Sequence, residues 1–467
     1  MIQLSNSYAH RFFLFSLPLL VGALSSLSIL CNFALAQENI PQKVISASTP
    51  NPVGSGARAV GMGGAFIAVA DDATAASWNP AGLTQLKKPE ISFAYSFFNR
   101  RDDFSSGSHP ETSGVQKSRT DDLNYLSVAY PFKLLDRNMI VSLNYQLLYE
   151  FEREIDTNIN TKPLLPLNIT DKEKIDFSQS GALRALAPAF AIEVTPDFSL
   201  GFTFNIWTDK LFWSNGWTSK TTIETKNYSG GMLNGGGILN KVIKQTDYDR
   251  YYGFSGFNMN IGFLWDINRY FTLGGVIKTP FTADINHQQL ITTKTRFPGS
   301  ALIRQTVRVD EDVDLDMPLS YGLGLAVRFS DRFTTSLDVY RTEWDTFKME
   351  DGRGNRTNAV TGLSTSKSSS EETVQVRLGG EYLFIFPRTV VPVRGGVFYD
   401  PEPSENNPED FWGFSLGTGV SIGDFIFDCA YQYRTGSDVE GDILLDVKAT
   451  DADVEQHLFM VSCIVHF

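Results

Sequence analysis

From Pro89 to the end of the chain, apolar and polar residues alternate with a period of two in one segment after another. No stretch beyond the first 36 residues supplies the roughly 20 uncharged apolar residues that a membrane-spanning helix needs. Strict alternation places every second side chain on one face of an extended strand. Repeated many times in an otherwise polar chain, it is the weak but distinctive mark of a transmembrane β-barrel. About fourteen segments read this way, an even number, as a closed antiparallel barrel requires. They begin with Glu90 to Asn99 and end with Asp453 to Phe467, and include two long runs, Tyr270 to Thr292 and Leu302 to Phe329, each read as one strand.

The connections alternate between short and long. Pro131 to Arg137, Thr195 to Asp197, Asp266 to Arg269, Ser330 to Arg332, Pro387 to Thr389 and Ile422 to Asp424 are tight and carry Asp, Asn, Pro or Gly, the residues of turns. Long polar inserts separate them, among them Arg100 to Thr120, Phe151 to Gln179, Asp209 to Tyr252 and Phe347 to Glu371. Short turns face the periplasm in such barrels, so both termini are placed there. Phe425, Phe427, Cys429, Tyr431 and Tyr433 alternate with Asp428, Gln432 and Arg434, so the first set faces lipid, where a charge would cost about 2 kcal/mol or more. The same parity turns Cys463 outward and Leu458, Met460 and Ile464 inward, leaving a partly apolar lumen that suits either an apolar passenger or packing against an internal plug.

Export is written at the start of the chain. His10 and Arg11 precede the uncharged apolar run Phe12 to Leu30, and Ala34-Leu35-Ala36 gives a small-x-small cleavage pattern, so residues 1–36 read as a Sec signal peptide. Leu30 is too bulky for Cys31 to be a lipidation site of the usual kind. A net charge of −13 argues against nucleic acid as a partner, since phosphate binding needs a basic face. Cys429 and Cys463 are too few for a disulfide scaffold or a zinc site, and neither a cofactor nor a metal is expected.

A barrel of this size must have its interior filled or it conducts water and ions. Residues 37–88 precede the first strand and have the composition to fill it, with close-packing glycines at 54, 56, 61, 63 and 64, an Ala-rich stretch suited to short helices, and a turn at Asn79-Pro80. The expected fold is therefore all-β: one transmembrane antiparallel barrel over residues 89–467, with residues 37–88 as a small hatch inside the lumen.

The pattern from Gly61-Met62-Gly63-Gly64-Ala65 through Ala70-Asp71-Asp72-Ala73 to Asn79-Pro80-Ala81-Gly82-Leu83 resembles the hatch of the FadL/TodX outer-membrane transporters of hydrophobic compounds. Leu273 to Phe281, Pro318 to Gly324, Asp338 to Trp344 and Arg394 to Pro401 extend the likeness over nearly the whole mature chain. The resemblance implies passive uptake of long-chain fatty acids or aromatic hydrocarbons across the outer membrane of a Gram-negative bacterium. Capture by outer loops, lumenal binding, hatch movement at Asn79, Pro80 and Ala81, and sideways release into the bilayer would follow one another. Its implied partners are the hydrophobic solute, outer-membrane lipid and lipopolysaccharide, and the insertion machinery that reads a terminal Phe467. The hatch pattern is also similar to that of the barrel shuttles of type IX secretion, which keeps a protein-handling role as the alternative.

The family's wall opening goes with a kink in the third strand, but Asn138 to Glu150 has no Gly or Pro. Prolines elsewhere remove ladder donors: Pro188, and the pair Pro280 and Pro318, which the turn near Pro298 would bring close together. By alternation Arg328, Arg377 and Arg394 point inward. Arg394 lies beside Glu381 and pairs internally, whereas Arg377 and Arg328 are candidates to bind a carboxylate head, with Asp338 as a competing partner for Arg377. Leu458 and Met460 are the candidate apolar lining.

Other signals carry less. Gly413-Phe414-Ser415-Leu416-Gly417 fits a hydrolase elbow but lies within an alternating strand with no triad order following, so no enzyme is expected. Asp310, Asp312, Asp314 and Asp316 alternate along one strand face and read as a solvated acidic edge. Gly230 to Gly237 lacks the Lys-Ser/Thr of a phosphate loop and reads as an outer loop.

Overall fold

The structure is a computed structural model, described for residues 54–467 apart from 161–168, 230–237, 369 and 441–449. All of these residues belong to the second of the chain's two contact units, Gln42–Phe467. The signal peptide with its Ala36 cleavage point, Cys31, residues 37–53 of the hatch and the Gly230–Gly237 loop lie outside the described residues.

The period-two segments form a wall closed on itself. Fourteen strands make it: β1 (Glu90–Ser106), β2 (Gly114–Leu134), β3 (Arg137–Glu150), β5 (Ile169–Thr195), β6 (Phe198–Trp207), β8 (Ile238–Asp266) and β9 (Phe271–Lys278) form one half. β12 (Ser320–Ser330), β13 (Phe333–Thr342), β16 (Thr373–Ile385), β17 (Thr389–Tyr399), β18 (Trp412–Ile422), β19 (Phe425–Glu440) and β20 (Thr450–His466) complete it, and β20 pairs antiparallel with β1 to close the ring. One end carries the tight turns, including a hairpin in which Leu135 and Asp136 both have positive φ (52° and 56°). That geometry matches the right-handed twist of the flanking strands.

The two long runs read as single strands are each broken. Tyr270 to Thr292 becomes β9 followed by β10 (Phe281–Arg296), and Leu302 to Phe329 becomes β11 (Ile303–Met317) followed by β12. The breaks fall at Pro280 and Pro318, which have no N–H to give a neighbour. Segments read as loops are also strands, namely β4 (Arg153–Asn160), β7 (Gly216–Ser229), the first halves of β5 and β8, and the short β14 (Lys348–Glu350) and β15 (Arg356–Asn358). Together with β10 and β11 they continue the sheet past the loop end of the ring. Their Thr, Lys and Asp content hid them, because a sheet wetted on much of its surface has little apolar alternation to read.

Inside the ring sits the hatch, with helix α1 (Ala57–Gly61), helix α2 (Ala75–Trp78) and a 3₁₀ turn over Pro80–Gln85. Phe66, Ile67, Trp78 and Leu83 are all buried, as are the alanines between them. The hatch fits against a bald patch of wall: a Cβ added to Gly201, Gly262, Gly274, Gly379, Gly396 or Gly417 would fall within 3.0 Å of hatch atoms. Close approach of two backbones is what glycine allows here.

Candidate functional site

Hydrogen bonds knit the hatch to the inner wall. Asn79 is fully buried; its Nδ2 donates to the carbonyls of Ile67 and of Phe263 in β8 (both 2.9 Å), and its Oδ1 accepts from Ala81 N–H, capping the 3₁₀ turn. Asp338 of β13 accepts from the backbone N–H groups of Phe66 (2.6 Å) and Ile67 (2.8 Å). Tyr125 donates to Ala73 O and Thr203 to Ala76 O (2.7 Å each). Ser415, the serine of the elbow-like pattern, lies mid-strand in β18 and donates to Gly61 O (3.1 Å).

A charged line reinforces this. Arg58 of α1 pairs with Glu381 (3.0 Å) and with Asp71. Glu381 also meets Arg394 (2.6 Å), which pairs in turn with Asp428 (2.6 Å). The cross-strand neighbours Glu381 and Arg394 are thus internally satisfied, as alternation indicated. Because the pairs are buried and bonded on several sides, losing one partner would strand the other in low dielectric.

One cavity lies between hatch and wall, and a second, lined without any hatch residue, adjoins it at Leu148. The larger encloses about 910 Å³, with Val60, Gly64 and Trp78 on the hatch side and Phe98, Leu147, Leu148, Leu458 and Met460 among the apolar groups of the wall. Its polar end holds Arg377, Asp400 and Arg434. Arg377 pairs with Asp400 (3.0 Å) and donates to Gly63 O (2.9 Å), while its Nε has no partner. Asp338, the partner weighed from the sequence, is instead engaged by the hatch backbone. Arg328 is in the inward phase but exposed at the turn end of β12, and it lines neither of these two cavities, since alternation gives a face and not a depth.

The wall beside this cavity is interrupted. β2 and β3 pair from Leu134↔Arg137 up to Tyr125↔Gln146, and no ladder pair joins them beyond that point. Just above, β3 bulges at Leu148, where its register with β5 shifts between Leu147 and Tyr149. β3 therefore has a register shift although it contains no Gly or Pro. A bulge needs only one extra residue, which no single residue type announces. Asn124 and Leu147, from the two sides of the gap, both line the cavity. The prolines mark further interruptions: β5 and β6 lose pairing at Ala187 and Pro188, and Pro280 and Pro318 fall between the ladder pairs Lys278↔Ser320 and Phe281↔Met317.

Past the loop end of the ring, three aromatic side chains stack on one another. His287 is fully buried, stacked on Tyr251 (4.3 Å), which stacks on Trp217 (4.6 Å). Its nitrogens meet Asp249 (3.1 Å) and Glu311 (3.2 Å). Burial opposes the charged ring, but the two carboxylates outweigh it and raise the His287 pKa above its ordinary value. On β11, Asp310, Asp312 and Asp314 are exposed.

The profile of outer membrane protein transport proteins (OMPP1/FadL/TodX) matches residues 51–440. Among solved structures, a Pseudomonas aeruginosa FadL homologue superposes with TM-score 0.58 at 14% identity, covering 90% of this chain and 99% of its own. The Pseudomonas putida toluene transporter TodX gives 0.53 at 12%, covering 91% and 100%, and the monoaromatic hydrocarbon channel CymD 0.50 at 15%, covering 89% and 98%. These likenesses concern the fold. No curated protein sequence matches the chain.

Proposed function

The chain belongs to the OMPP1/FadL/TodX family of outer membrane transport proteins, and from that premise we propose that it carries a long-chain fatty acid or aromatic hydrocarbon passively through its lumen and releases it sideways. The observation that carries this reading is the adjacency of three features: a hatch-sealed lumen, an apolar cavity between hatch and wall, and a β2–β3 ladder that stops where that cavity begins. A solute leaving through the wall never has to be dissolved in periplasmic water, which is the large cost for an apolar molecule.

In this reading the solute enters past the strands beyond the loop end and settles among Leu147, Leu148, Leu458 and Met460. Arg377 Nε offers one donor to a polar head. Movement of the Asn79–Ala81 segment opens the path, and the β2–β3 gap is the exit in preference to Pro188, because Pro188 lines neither cavity. The apolar outer face meets membrane lipid and lipopolysaccharide, and exposed Phe467 serves the insertion machinery. Uptake of labelled oleate and toluene by a deletion strain, with and without the restored gene, tests the function. Unchanged uptake with loss of surface proteins would move the assignment to protein secretion.

A further inference from the structure

The smaller cavity, about 660 Å³, lies across Leu148 from the first, since that residue lines both. It is of another character. Trp207, Tyr340, Trp344 and Phe281 wall it, with Trp207 and Phe281 stacked at 5.7 Å. Between the rings stand carboxamides: Asn205 donates to Asn260 Oδ1 (3.1 Å), and Trp207 Nε1 donates to Asn258 Oδ1 (2.9 Å). Lys278 is on the same lining. The hatch contributes nothing to it, and Pro318 beside the strand breaks forms part of its edge.

Three buried polar atoms of residues lining this cavity have no hydrogen-bond partner: Asn205 Oδ1, Gln375 Oε1 and Tyr340 Oη. Buried polar groups are rarely left so, because an unmade bond costs the full desolvation of the group. Two of the three are carbonyl oxygens and can only accept. A hydrocarbon would leave all three unmet, and a carboxylate, which has no proton to give, would leave the two carbonyls unmet. A hydroxyl on an aromatic ring gives its one proton to Gln375 Oε1, takes a bond from Tyr340 Oη on its own lone pairs, and lets the ring lie among Trp207, Trp344 and Phe281.

We propose that this second cavity is a binding site for hydroxylated aromatic compounds of the phenol class, recognised by Gln375 and Tyr340. It rests on the transport reading in one respect, that the lumen is where solutes travel.

The test is calorimetric titration of the full-length protein in phosphatidylcholine nanodiscs, corrected for empty nanodiscs, with 4-methylphenol, toluene and 4-methylbenzoate as probes. The wild type is expected to bind 4-methylphenol about tenfold tighter than toluene. Gln375→Met and Tyr340→Phe, both close in volume, are each expected to weaken 4-methylphenol by about fivefold while leaving toluene within about twofold, as the loss of one neutral hydrogen bond implies. Heat-shifted gel mobility identifies variants that retain the folded barrel, and either variant carries the test if the other does not fold. Equal wild-type affinity for 4-methylphenol and toluene, tighter binding of 4-methylbenzoate, or folded variants with unchanged 4-methylphenol affinity would each overturn the assignment. Any of these results alongside normal oleate or toluene uptake overturns this site alone; phenol selectivity in a protein that fails to restore uptake overturns the transport reading alone.

Discussion

Asn79 of the hatch donates a hydrogen bond of 2.9 Å to the carbonyl of Phe263, joining the Asn-Pro-Ala turn to the wall strand β8 at a point where Gly262 leaves no side chain in the way. The same amide holds Ile67 O, so one side chain fixes two levels of the hatch. Replacing Asn79 with Ala leaves two buried carbonyls short of a donor and should weaken hatch docking by about 2 kcal/mol. We expect the barrel to keep its heat-shifted gel mobility while amide exchange across residues 64–83 accelerates. Unchanged exchange would remove Asn79 from the docking contact.

Gly379 and Gly395 offer a matched pair. A Cβ on Gly379 would fall within 3.0 Å of Met62 O, whereas the nearest atom to one on Gly395 is 3.8 Å away. Gly379→Ala should cost about 1–3 kcal/mol by pushing the hatch off its seat, and in planar bilayers should raise ionic conductance. Gly395→Ala should resemble the wild type in both respects, and equal effects would refute the fitted patch.

Much of this is legible in the chain and some is not, for physical reasons. The count and phase of the wall strands follow from alternation, since a lipid-facing position such as Phe427 cannot exchange with Asp428 without large cost. Leu458, Met460 and Arg377 follow on the same ground, and they do line the hatch cavity. Depth along the barrel is not encoded that way, which is why Arg328 has the inward phase and yet lies away from both cavities. The glycines at 274, 322, 324 and 396 are visible as family motifs, yet their purpose, close contact with the hatch, needs the third dimension. Leu148 gives no warning of a bulge, and Asp400 as the partner of Arg377 comes from a connection whose course the pattern does not supply.

Glu381 links hatch to wall through Arg58 and Arg394. Glu381→Gln keeps the shape and removes the charge, leaving two arginines less well compensated. Breaking a buried pair in this manner costs about 3–5 kcal/mol. Thermal unfolding followed by gel mobility should show a lowered midpoint, and the double change Arg58→Met with Glu381→Gln should recover part of the loss. No difference between the single and double variants would deny that the two residues interact.

His287 makes the sheet beyond the loop end sensitive to alkali. Its folded pKa is raised by Asp249 and Glu311, against the effect of burial, with Asp247 close by in the same cluster. Stabilisation is therefore complete below the ordinary histidine value of about 6.5 and is lost as pH rises through the raised folded pKa. Amide exchange over residues 285–289, corrected for its intrinsic pH dependence, should show protection falling as pH rises above the ordinary histidine value of about 6.5 in the wild type, and a flat profile in His287→Gln. Protection that increases with pH would reverse the sign and sink the argument.

The most direct test of the transport reading is a crystal structure of the protein grown with 4-bromotoluene, with bromine located by its anomalous signal. The account predicts a peak in the hatch cavity, among Trp78, Leu147, Leu458 and Met460, beside the β2–β3 gap. Bromine found solely on the outer, lipid-facing surface, with that cavity filled by ordered water, would contradict it.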